Sequence, residues 1–101
     1  MIKLIFAHQR EVYVILIKNK EIFYSDRKML GSVRLIPTDD KLKQRIIMSR
    51  NKLPNWLLDF YNLTDKEKEE YNNAQTEEEL SKIIIKDCES QGSTLQKKEI
   101  T

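Results

Sequence analysis

Scarcity is the first information in this chain. Only two glycines (Gly31, Gly92) and two prolines (Pro37, Pro54) occur in 101 residues. That is too few for a turn-dense sandwich or barrel, or for a long flexible linker, and a glycine-rich phosphate loop is excluded outright. The lone cysteine, Cys88, cannot close an internal disulfide, so nothing calls for an oxidising compartment. One Cys and one His cannot supply the clustered ligands of a zinc site, and neither a metal nor a cofactor is expected. Catalysis of the Ser-His-Asp or Cys-His kind would have to use His8, which sits in a polar turn, His8-Gln9-Arg10-Glu11, and reads as solvent-exposed. Long apolar runs are also missing. Met1 to Ala7 gives way to polar residues at once, and Val12 to Ile17 is far below the roughly 20 residues of a membrane span. Secretion and membrane insertion are not expected, and a cytoplasmic location is the default.

What is present points to one folded domain covering 1–101. The hydrophobic fraction of 40% and charged fraction of 34% sit on the globular side of the disorder boundary. The net charge of +2 conceals an asymmetry. Residues 1–52 hold twelve Lys/Arg against five acids, a balance of +7, whereas 53–101 hold six against eleven, a balance of −5.

The basic half has the grammar of strands. Ile2, Leu4 and Phe6 alternate along 2–7 with the period of two that gives a strand one buried face. Val12 to Ile17 is β-branched or aromatic on both faces and predicts a central strand. Lys18-Asn19-Lys20-Glu21 is a tight connection to Ile22-Phe23-Tyr24, and Val33 to Ile36 makes a fourth short strand that stops at Pro37. The acidic half is helical. Thr38-Asp39-Asp40 offers N-cap oxygens and first-turn carboxylates to a helix reaching about Arg50. Pro54 suits the first turn of a short helix through Tyr61, in which Trp56 and Phe60 are expected to anchor the helical core. Two capping-box patterns, Thr64 with Glu67 and Thr76 with Glu79, each start a helix. The second helix carries Leu80, Ile83, Ile84 and Cys88 on one stripe and ends near Gly92. The expected fold is α+β: a small N-terminal antiparallel β-meander of three to four strands packed against three to four C-terminal helices. It divides into a β-rich basic part (1–36), a helical part (38–91) and a polar tail (92–101).

No catalytic or metal-ligating constellation emerges. Asp39 and Asp40 beside Lys41 and Lys43 could be arranged as a small metal-dependent nuclease, but helix capping already accounts for those acids. The strongest functional signal is cationic: Arg27, Lys28, Arg34, Lys41, Lys43, Arg45, Arg50 and Lys52 cluster in one stretch. Such residues neutralise phosphates or steer an acidic protein surface, giving position and affinity without sequence readout. If one sheet face is open, the strand aromatics Tyr13, Phe23 and Tyr24 with neighbouring cations would resemble a stacking platform for single strands. We therefore expect a small non-enzymatic accessory or regulatory binding protein that docks nucleic acid or a nucleoprotein complex through a basic face. The alternative is a protein–protein interaction factor or inhibitor acting as a homodimer, the opposite charges of the two halves meeting between copies. The Lys-, Ile-, Asn- and Glu-rich texture suits an AT-rich genome such as that of a virus or mobile element.

Overall fold

Two glycine-free hairpins set the register of the sheet. In the computed structural model, which describes residues 1–28, 31–37, 39–49 and 53–101, β1 (Ile2–His8), β2 (Glu11–Lys18) and β3 (Glu21–Asp26) follow one another antiparallel. The two-residue turns take positive φ at both positions, 48° and 69° at Gln9 and Arg10, 51° and 63° at Asn19 and Lys20. That backbone matches the twist of the flanking strands. β4 (Val33–Leu35) adds to β3, completing the expected meander.

The sheet gains a fifth strand from the polar tail. β5 (Thr94–Ile100) pairs antiparallel with β1, giving the order β4-β3-β2-β1-β5. Its sequence hides this because the register shifts between Ile5 and Phe6, leaving Gln96 without a partner residue. Leu95, opposite Phe6, and Lys98, opposite Leu4, then share a side although three residues apart, so no period-two signal survives.

The helical half follows its caps. Before α1 (Asp40–Ser49), the carboxylate of Asp39 accepts from the Lys41 N–H at 2.9 Å; Thr38, expected to share this role, lies outside the described residues. Asn55–Tyr61 is a 3₁₀ helix, tightened by i→i+3 bonds such as Leu57 N–H to the Pro54 carbonyl at 3.0 Å. In α2 (Asp65–Asn73) both arms of the Thr64–Glu67 box are made. In α3 (Glu77–Ser90) Thr76 accepts from the Glu79 N–H, but the Glu79 carboxylate reaches back to the Gln75 N–H. α3 closes at Gln91, with Gly92 at φ +99°, the conformation that favours glycine there. Among the described residues no helix is long and apolar enough to cross a membrane.

One core joins the halves. Ile2, Leu4, Phe6, Tyr13, Ile15, Ile17, Ile22, Tyr24, Val33 and Leu35 form the inner sheet face, and Leu57, Phe60, Tyr61, Tyr71, Leu80, Ile84 and Cys88 close over it. Trp56 does not anchor this core as expected. It is half-buried, its indole packed 4.9 Å from the His8 ring and 5.1 Å from the Tyr13 ring between centroids. In a 3₁₀ turn of three residues, Leu57 and Phe60 eclipse on the buried side and leave Trp56 to the rim.

Candidate functional site

The outer face of the sheet is built by the residues that alternate with the core. Register places Arg34, Phe23, Leu16, Lys3 and Glu99 in one row across all five strands, with Ser25, Val14, Ile5 and Lys97 in the next. The centre of the face, Phe23, Leu16, Val14 and Ile5, is apolar, only half-buried, and no part of the core. Charges stand at its margins: Arg34 pairs with Glu21 at one side, and Lys97 with Glu99 at the other. Tyr13 and Tyr24 point the other way, 3% and 2% exposed. The three strand aromatics therefore do not share a stacking face, and Phe23 stands alone among aliphatics.

At the β4 edge this face meets α1. The junction is Ile36, a β-branched residue at φ +54° immediately before Pro37, a backbone state that costs on the order of 1–3 kcal/mol. Beyond it, Leu42, Arg45 and Ile46 share one side of α1 at i, i+3 and i+4 and face a groove of about 690 Å³ whose other wall is Phe23, Val33 and Arg34. Met48 overhangs it, 83% exposed. Arg45 is exposed, while the Arg34 guanidinium is shared with Glu21. The groove thus has an apolar floor and a guanidinium on each side.

The eight cations read from the sequence do not form one patch. Arg34 and Arg45 converge on the groove, and Lys41 and Lys43 lie on the same helix. Arg27 and Lys28 follow β3 and do not line the groove; the Lys28 ammonium pairs with Glu11 at 2.9 Å. Arg50 and Lys52 lie outside the described residues. Three acids of the helical half are paired elsewhere: Glu77 with the N-terminal ammonium, Glu78 with Lys98, and Glu70 with Lys86. Among the described residues no ion pair joins α1 to α2 or α3, so the field of α1 is not cancelled by direct pairing.

A second concavity, missed in the sequence, opens where Lys28 sits. It has a volume of about 530 Å³, walled by His8, Trp56, Glu11 and Asp26 with Tyr13 and Tyr24 at its floor. His8 is half-buried, not the exposed turn residue its neighbours suggest, because its ring packs at a tilt against Trp56. The Tyr13 hydroxyl donates to Ser93 Oγ at 2.6 Å, and Ser93 Oγ lies 3.0 Å from His8 Nδ1. Ser93 is itself buried, so this chain fixes the imidazole and does not present a nucleophile. The Tyr24 hydroxyl donates to Asp26 at 2.7 Å. Burial raises the pKa values of Tyr13 and Tyr24 well above the ordinary phenol range, and burial likewise pushes the Cys88 thiol up to about 12. Cys88 is an inert core residue at neutral pH. No sequence signal marked this cleft: Glu11 read as part of a polar turn and Trp56 as a core anchor, and only the fold brings them to one concavity.

Comparison with protein-family models, with curated proteins and with solved structures finds no match to this chain.

Proposed function

We propose that this protein is a non-enzymatic binding module whose docking site is the groove between α1 and the outer sheet face, and that its partner is a protein segment carrying carboxylates beside an apolar anchor. The observation that carries this reading is the convergence of Arg34 and Arg45, from separate elements, on a floor of Phe23, Leu42 and Ile46. An exposed apolar patch rimmed by charge is the usual signature of an interaction surface, and paired guanidinium groups suit carboxylates. Nucleic acid is the second choice. The face offers one aromatic, whereas single-strand readers stack successive bases on several.

The test is selection of a random peptide library on the immobilised protein, with salt-dependent titration of labelled single- and double-stranded DNA and RNA alongside. Enriched peptides should carry Asp or Glu next to Leu, Ile, Phe or Met, and should be lost when Arg34 and Arg45 are both changed to Ala. Enrichment of basic or uncharged peptides, or indifference to the double substitution, overturns the reading. Oligonucleotide binding that weakens with salt and disappears in a Lys41, Lys43, Arg45 triple alanine variant replaces the protein partner with nucleic acid.

A further inference from the structure

The cleft walled by His8, Glu11, Asp26 and Trp56 has different chemistry from the groove and stands independently of the reading above. We propose that this cleft, between the Trp56 indole and the carboxylates of Glu11 and Asp26, binds an alkylammonium head group.

Three observations converge. The first is shape: a cleft of about 530 Å³ falls within the 300–1,000 Å³ typical of ligand sites and easily admits a trimethylammonium group. The second is its wall. Trp56 lines the cleft and is held by ring contacts with His8 and Tyr13, and an indole is the aromatic surface most attractive to a cation. The third is charge. Glu11 and Asp26 are the charged side chains of the cleft, and no Lys or Arg among the described residues walls it. Asp26 is fixed in place, accepting from the Tyr24 hydroxyl on one oxygen and from the Lys28 N–H at 2.8 Å on the other.

The chain supplies its own stand-in. The Lys28 ammonium reaches the Glu11 carboxylate from the rim, showing that this position accepts an ammonium. That pair is well over half exposed on both partners and so contributes little stability, leaving Glu11 free to exchange it for a ligand. Other ligand classes fit worse. An anion meets two carboxylates, a neutral aromatic would desolvate them without compensation, and no group of three metal-ligating side chains is assembled among the described residues.

The head group could belong to a free quaternary amine or to a methylated lysine side chain. The same experiment separates the two. The full chain is titrated with choline, with a peptide containing trimethyllysine, and with 3,3-dimethylbutan-1-ol, the neutral isostere of choline. Trp56, the only tryptophan, reports through its emission and its indole N–H resonance. Both cations should give a saturable change that the isostere does not, and Glu11→Gln and Asp26→Asn should each weaken it about tenfold or more, the effect of roughly 1.4 kcal/mol. Lys28→Met should tighten binding severalfold, since it removes the internal competitor, a result that a purely structural role for these residues does not produce. Much tighter binding of the peptide assigns the site to a side chain; equal binding assigns it to the free amine. A response of equal size to the isostere, no response to either cation, or no tightening in Lys28→Met overturns the proposal.

Discussion

The two faces of one sheet, made by alternate residues of the same strands, divide the labour of this protein. Val33, Tyr24, Ile15 and Leu4 stand in register on the inner face and are buried; Arg34, Phe23, Leu16 and Lys3 stand one residue along on the outer face and are half-exposed. Both rows are apolar at their centres, Tyr24 and Ile15 on the inner face and Phe23 and Leu16 on the outer. What separates them is cover: α3, the 3₁₀ helix and Tyr71 of α2 close over the inner face, while among the described residues α1 approaches the outer face only at its β4 edge. Apolar character alone therefore does not mark a core in this chain. The inner face supplies stability and the outer face supplies a surface.

The sharpest way to break that contrast is to truncate neighbours across the pleat. Ile15→Ala, at a site with 0% exposure, should destabilise by about 3–4 kcal/mol, a large share of the 5–15 kcal/mol typical of a domain. Leu16→Ala, its chain neighbour, should cost less than about 1 kcal/mol. Urea unfolding of both variants measures the difference, and equal losses would mean that the outer face is covered.

A second contrast is set by alkali. The thiol and phenols whose protons are held more tightly in the fold, Cys88, Tyr13, Tyr24, Tyr61 and Tyr71, belong to the inner core, and burial is the largest cause in each. Because the folded pKa of Cys88 is raised from 9.0 to about 12, the stability linked to its neutral thiol is complete below about pH 9. It falls as pH climbs toward 12, by roughly 3 kcal/mol at pH 11. Cys88→Ala should flatten the decline of stability between pH 9 and 11, and Leu16→Lys on the outer face should leave it unchanged. A decline identical in wild type and Cys88→Ala would contradict the assignment.

The legible part of this fold was the part with a local signal. Alternation at Ile2, Leu4 and Phe6 and the β-branched run through Ile17 identified the strands, and both Thr64 with Glu67 and Thr76 with Glu79 started helices where they stand. β5 was not legible, because a bulge broke its period and its pairing comes from β1, remote in sequence. The cations Arg34 and Arg45 were readable as residues but not as a pair, since the junction at Ile36 that swings α1 beside the sheet is a backbone event with no residue signature. The cleft was hidden for a related reason: the His8–Glu11 turn, Asp26 and Trp56 lie far apart in the chain, and Ser93, which holds the His8 ring, lay in a tail that read as merely polar.

The smallest predicted effect tests whether the register that creates the two faces is set at the turns. Lys20 holds φ +63° without being glycine. Lys20→Gly gives an Asn-Gly pair, the preferred sequence of such a turn, and should raise stability by roughly 0.5–1 kcal/mol in thermal unfolding. A loss of stability would mean that the Lys20 side chain contributes more than its backbone strain removes.

The most direct test of the docking surface is amide chemical-shift mapping on isotope-labelled protein, using the tightest acidic peptide from the library selection. Shifts should concentrate at Phe23, Arg34, Leu42, Arg45 and Ile46, with the inner-face amides of Leu4, Ile15 and Ile17 unmoved. Shifts centred on α2 and α3, or spread evenly over the chain, would contradict it.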